Sequence, residues 1–164
     1  MAALNTGDTA PDFDVPALIA GVKKRFKLSD CRGKRNVVLA FHPLNWTPVC
    51  TTMTCGYEAE LKDFASLDTE VVGISVDSIM SHTAWEKVIG PLTYPLASDF
   101  YPHGEVAQKY GVFRDKEPFP GVSERAIFVI DKAGKIAFSK VYPMSELPPS
   151  SDVVEVLKKL QSAK

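Results

Sequence analysis

Cysteine is scarce in this chain. There are three in 164 residues, an odd number, which argues against a structural disulfide framework and for free or reactive thiols in a reducing compartment. Histidine is equally sparse, and His42, His82 and His103 are scattered without ligand spacing, so a zinc site with the cysteines is not expected. The net charge is −1 with no basic block, which removes the electrostatic footprint of a nucleic-acid partner. The longest apolar runs, such as residues 37–41 and 126–130, are far too short to span a membrane. The first eight residues lack both a basic region and an apolar core, so no signal peptide is read there and a cytoplasmic location is expected. Linkers, repeats and low-complexity segments are missing too, so residues 1–164 read as one domain. What is present is ordinary for a globular protein: 45% hydrophobic and 24% charged residues.

The patterns alternate between strand and helix. Residues 1–30 look irregular, with a short hairpin between 13–15 and 26–28. Residues 36–42 and 70–76 read as buried strands. Between them, Met53, Tyr57, Leu61 and Phe64 recur at helical spacing and predict one amphipathic helix over 49–67. Further helices are expected at 79–89 and at 103–110, the latter closed by Gly111. A short segment ends at Ser98. Residues 126–130 and 136–141 flank Asp131-Lys-Ala-Gly134, a strong hairpin turn. A last helix starts near Asp152, with Glu155 three residues on as a partial capping box. This order predicts an α/β layered domain with helices on both faces of a mixed sheet.

One further absence is local. No Asp or Glu lies between Phe41 and Tyr57, and Cys50 sits in that gap. Thr47 is a good N-cap and Pro48 a good first helical residue, which puts Cys50 in the first turn of the helix. Unpaired backbone N–H groups and the positive end of the helix dipole gather there. A thiolate, the nucleophilic form of cysteine, is favoured in such surroundings.

Pro43, Thr47 and Cys50, in the pattern P-x-x-x-T-x-x-C, resemble the active-site loop of the peroxiredoxins, the alkyl hydroperoxide reductase and thiol-specific antioxidant family. Thr9-Ala-Pro-Asp-Phe13, Val72-Gly-Ile-Ser-Val-Asp-Ser78, His82-Thr-Ala-Trp85 and Arg125-Ala-Ile-Phe-Val-Ile-Asp131 continue the resemblance over roughly residues 7–142. It implies a thioredoxin-like fold and reduction of hydrogen peroxide and organic hydroperoxides by thiols, with no metal or organic cofactor. By the same resemblance Cys50 is the peroxidatic cysteine, Thr47 hydrogen-bonds the peroxide and the sulfur, Pro43 shields the pocket, and Arg125 polarises thiolate and substrate. Met53 departs from the pattern, since many members carry Glu or Gln at that place.

Cys55 resembles the resolving cysteine of the Q-type branch (bacterioferritin-comigratory-protein-like), although residues 51–54 differ from that branch. No cysteine follows Cys55, so the C-terminal, intersubunit resolving cysteine of the typical two-cysteine branch is not expected. The implied partners are peroxide substrates and a thioredoxin- or glutaredoxin-like reductant. A homodimer through an edge carrying Trp46, His82 and Trp85 is a further expectation, and His42 beside Pro43 is a candidate for the pocket wall.

Several readings stay open beside this one. They are a one-cysteine cycle in which an external thiol resolves Cys50, a thioredoxin-fold binding or chaperone-like protein without turnover, a disulfide oxidoreductase and a cysteine–histidine hydrolase. The oxidoreductase would ordinarily use Cys-x-x-Cys, which the chain lacks. Cys31 reads as a bystander thiol.

Overall fold

The computed structural model describes residues 2–163. The chain opens with a hairpin of β1 (Asp14–Ile19) and β2 (Val22–Lys27), followed by a 3-10 turn at Leu28–Cys31. Its two-residue turn, Ala20-Gly21, has positive φ at both positions (49° and 76°), the geometry that matches the twist of paired strands. Then come β3 (Asn36–Phe41), α1 (Pro48–Ala59), α2 (Leu61–Ala65), β4 (Thr69–Ser75), α3 (Ile79–Ile89), β5 (Leu96–Ser98), α4 (Glu105–Lys109), β6 (Arg125–Ile130), β7 (Ile136–Tyr142) and α5 (Ser150–Ser162). The seven strands form one mixed sheet in the order β2-β1-β5-β4-β3-β6-β7. β3, β4 and β5 run parallel, while β6 is antiparallel to β3, with Phe41 opposite Ala126. This is the expected α/β architecture.

Every residue of β3 and β6 is buried, which is why both read as continuous apolar runs instead of alternating ones. One face of the sheet presents Val38, Ala40, Ile127 and Val129 to Met53 and Tyr57 of α1, Phe64 of α2, Trp85 of α3 and Leu157 of α5. The other face presents Leu39, Phe41 and Phe128 to α4 and to the N-terminal segment. There Tyr110 packs on Phe41 and Phe128 at centroid distances of 5.7 and 5.1 Å, and its hydroxyl donates to the Pro11 carbonyl at 2.7 Å. The short helix α4 is held by Asp99, whose carboxylate accepts from the backbone N–H groups of Val106 and Ala107 at 2.9 Å. Gly104, just ahead of it, has φ 69°, and the Phe113 ring occupies the space a Cβ would need. Among the described residues no helix is long and apolar enough to cross a membrane.

Two local expectations need correction. The helix expected over 49–67 is broken at Glu60 (φ −102°, ψ 5°), whose N–H bonds back to the Tyr57 carbonyl. The break re-aims the following turn so that Phe64 is fully buried, 5.9 Å from the Tyr57 ring. The last helix starts at Ser150, and its N-cap residue is Pro149, without a side-chain cap. Asp152 does not initiate it, because its carboxylate is engaged by the Tyr142 hydroxyl at 3.0 Å and by Lys140 at 3.7 Å.

Candidate active site

The site forms at the C-terminal end of β3, where the chain leaves the sheet. Residues 42–47 descend into α1, and Trp46 adopts φ 72°, a left-handed conformation that strains a bulky side chain. Thr47 takes the N-cap position (φ −83°, ψ 146°) and Pro48 the first helical position. Thr47 does not cap with its side chain. Its hydroxyl donates instead to the Leu44 carbonyl at 3.2 Å, which leaves the N–H groups of the first turn without that partner. Cys50 lies in this first turn and is fully buried.

Arg125 opens β6 beside the end of β3, and its guanidinium reaches under the helix start. It is buried and donates to Cys50 Sγ at 3.3 Å through Nη2 and to Met53 Sδ at 3.5 Å through Nη1. The Met144 carbonyl accepts from Nε at 3.2 Å and from Nη2 at 3.1 Å. Among the described residues no carboxylate pairs with Arg125 (the nearest aligned groups are two sulfurs and a carbonyl). Met53 is therefore informative: at the position where a carboxylate or amide would have met the guanidinium, a thioether leaves the charge directed at Cys50.

A cavity of about 200 Å³ opens above these groups. Thr47 and Arg125 are the polar members of its lining, and Pro43, Leu44, Val49, Val122 and Met144 supply apolar wall. Phe119 stands at the rim, 63% exposed. Pro43, Thr47, Cys50 and Arg125 are thus brought together as the sequence pattern implied. Met144 and Val122 carry no sequence signal, since their contribution arises from how two loops fold back over the sheet.

Other expectations land elsewhere. His42 does not line the cavity. It is buried and hydrogen-bonds through Nε2 to Asn45 Oδ1 at 2.8 Å. Burial pushes His42 down to about 4 and His82 down as well, which favours the neutral form of both rings near pH 7. His82 and Trp85 are fully buried and cannot form a surface edge, whereas Trp46 is 53% exposed. Cys55 is half-buried on the opposite side of α1, with Sγ 3.9 Å from the Ile89 carbonyl at the end of α3. Cys31 donates to Glu70 at 3.4 Å, beside Arg35, and burial holds its thiol above the usual range.

A thiol at a helix start, faced by a buried guanidinium on a thioredoxin-like α/β sheet, defines a cysteine-based redox protein. The AhpC/TSA family model matches residues 6–139. The chain is 38% identical over 162 residues to peroxiredoxin-2 of Mus musculus, covering 95% of this chain and 77% of that one. It is 37% identical to the mitochondrial thioredoxin-dependent peroxide reductase of Drosophila melanogaster, covering 99% of this chain and 68% of that protein. Reduced 2-Cys peroxiredoxin from Plasmodium vivax superposes with a TM-score of 0.90 at 27% identity, over 97% of this chain and 83% of that one. The chain belongs to the AhpC/TSA family: it is a peroxiredoxin, a thiol-dependent peroxidase.

Proposed function

We propose that Cys50 is the peroxidatic residue and that the whole chain works as one domain around it. The observation that carries this is the 3.3 Å approach of the Arg125 guanidinium, a buried cation with no carboxylate partner among the described residues, to the Cys50 sulfur. A thiolate is the counter-charge such a cation lacks. The thiolate attacks one oxygen of the peroxide. As the S–O bond forms the O–O bond breaks, the hydroxyl stays on sulfur as sulfenic acid, and the other oxygen leaves as alkoxide or hydroxide and takes a proton from solvent. Arg125, the Thr47 hydroxyl and the free N–H groups of the first turn stabilise the charge spreading onto that oxygen. Pro43 shields the sulfur from bulk water. The apolar wall of the cavity favours organic hydroperoxides over hydrogen peroxide. Peroxide consumption by the purified protein with a thiol reductant tests the assignment: Cys50→Ser abolishes it and Cys31→Ser does not, and near-parental turnover of Cys50→Ser overturns it.

Cys55 is the proposed resolving residue. Its thiolate attacks the sulfenic sulfur, expels hydroxide that is protonated to water, and leaves a Cys50–Cys55 disulfide for a thioredoxin- or glutaredoxin-like dithiol to reduce. Five helical residues span about 7.5 Å of rise, and a disulfide needs Cα atoms within about 6.8 Å, so α1 must first unwind. Thr51, Thr52, Thr54 and Gly56 make that stretch a poor helix. The second reading, a one-cysteine cycle with an external thiol, is favoured by the opposed directions of the two sulfurs and by the bond from the Tyr94 hydroxyl to the Thr54 carbonyl at 2.8 Å, which resists unwinding. We assign the chain to the cytoplasm, on the odd count of three cysteines, which suits a reducing compartment. The proposed homodimer uses the end of the sheet where Trp46, Met80, Phe100 and Tyr101 are exposed, not the buried His82 and Trp85; a sedimentation mass of one chain at micromolar concentration rejects it.

A further inference from the structure

Within the loop that precedes α1, Leu44 at the cavity wall and Trp46 are both exposed while Asn45, between them, is buried. A polar side chain turned inward from an exposed loop must find its partners inside, and Asn45 finds all of them. Its Oδ1 meets His42 Nε2 at 2.8 Å, and its Nδ2 meets His82 Nδ1 at 2.9 Å and Ser81 Oγ at 3.2 Å. Its backbone N–H donates to Asp77 Oδ2 at 3.0 Å. Asp77 is itself tied to Ser75 at 2.7 Å and to Ser81 at 3.4 Å.

We propose that Asn45 is a positioning residue for the peroxidatic loop, an amide bolt seated on His82, which holds Pro43 and Thr47 where they face Arg125.

The proton positions follow from one group that can only accept. His82 Nε2 lies 3.0 Å from the Ala97 carbonyl, so that nitrogen carries a proton. In the neutral ring Nδ1 is then bare and needs a donor, which the Asn45 amide N–H₂ supplies. The amide oxygen is thereby turned to His42, whose Nε2 must carry the proton. The bonds run one way, from His42 through Asn45 and His82 to the backbone of β5. They join the end of β3, the start of α3 and β5 through a single amide. Trp46 keeps its positive φ because the residue before it is fixed from three directions. Ser123 adds a tie to the same place, donating to the His42 carbonyl at 3.2 Å.

Asn45 touches no reacting atom. It acts through the loop, and a misplacement of about 1 Å at Thr47 or the first turn is enough to slow the chemistry by up to a hundredfold. An aspartate at this place could accept at both ends but donate at neither. His82 would then have to hold protons on both nitrogens, its charge favoured by the new carboxylate and by Asp77, and opposed by burial and by the His42 ring 6.4 Å away if that ring were charged.

This reading rests on Cys50 as the peroxidatic residue, and the experiment separates the two. Nitrogen-15 spectra of the reduced parent, with no peroxide present, should show His82 neutral near pH 7 with its proton on Nε2. In Asn45→Asp the His82 ring should stay doubly protonated to a distinctly higher pH. The Cys50 oxidation rate of Asn45→Asp relative to the parent should be near one where the spectra show His82 charged, and fall about tenfold or more as they show it losing its proton. Asn45→Ala should be slower by about tenfold or more while its far-UV circular dichroism is unchanged. An Asn45→Asp-to-parent ratio that is flat with pH, an unshifted His82 titration, or a parental rate in folded Asn45→Ala overturns the proposal. If Asn45→Ala does not fold, the Asn45→Asp profile decides alone. Full turnover by Cys50→Ser would remove the peroxidatic assignment and leave the His82 spectra as they are.

Discussion

Replacing Arg125 by methionine removes the charge under Cys50 and keeps an unbranched side chain that fits among Met53 and Met144. At 3.3 Å and an effective dielectric constant of about 20, a unit charge on the guanidinium attracts a thiolate by about 5 kcal/mol. Only the part of that attraction that grows as charge spreads from sulfur to the departing oxygen appears in the rate. The loss of one such donor elsewhere costs about 3 kcal/mol, so Arg125→Met should oxidise roughly a hundredfold to a thousandfold more slowly. Stability should move little. The Met144 carbonyl loses its donors, which costs about 1–3 kcal/mol, but a buried cation without a carboxylate no longer has to be desolvated. The assay is rapid chemical quench with mass detection of oxidised Cys50 over a series of peroxide concentrations, with a thermal melt of the reduced protein alongside. An oxidation rate within threefold of the parent refutes the role of the guanidinium. A collapse of the fold with no change in rate per folded molecule refutes the balance of burial terms.

His42 and His82 titrate lower in the folded chain than the ordinary 6.5, so the unfolded chain binds more protons between about pH 4 and 6.5; stability should be full above that window and fall by about 3 kcal/mol through His42 as pH drops to 4. Urea melts at pH 7.5 and 4.5 check this against His42→Gln, which keeps an N–H for Asn45 and should show a shallower decline. Peptide mapping after one equivalent of peroxide without reductant separates the two cycles: a Cys50–Cys55 link supports resolution within the chain, and a lasting Cys50 sulfenic acid with free Cys55 supports an external thiol. Val122→Ser, which puts a hydroxyl on the cavity wall, should lower kcat/KM for a tertiary alkyl hydroperoxide several-fold more than for hydrogen peroxide; an equal effect on both would mean that the wall does not contact the alkyl group.

What the sequence disclosed depended on range. Residues 37–41 and 126–130 read as buried strands because both faces of β3 and β6 are covered, and an unbroken apolar run records that directly. Pro48 and the acid-free stretch announced the helix start around Cys50 because dipole and capping rules are local. The break at Glu60 was not legible, since the apolar spacing continues across it and only the burial of Phe64 requires it. Asp152 looked like a helix initiator until Tyr142 and Lys140, ten or more positions earlier in the chain, engaged it. Asn45 gave no signal either: beside Leu44 and Trp46 it reads as a loop amide, and its four partners come from three elements that meet only when the sheet is assembled. Trp85 reads equally as a packing or a dimer-contact residue, and only its burial, with that of His82, decides for packing, because an aromatic stripe on a helix does not say which side the sheet will cover.

The two tryptophans of this molecule report on different places. Trp46 rides on the strained loop, half in water, while Trp85 is sealed in the core with its ring 5.5 Å from that of His42. An indole in water emits at longer wavelength and is reached by iodide, and a sealed one emits at shorter wavelength and is not. A protonated imidazole at van der Waals range also quenches an excited indole, which a neutral one does far less. One emission spectrum of the unlabelled protein therefore separates into a red component that follows the loop during oxidation and a blue component that dims when His42 takes up a proton.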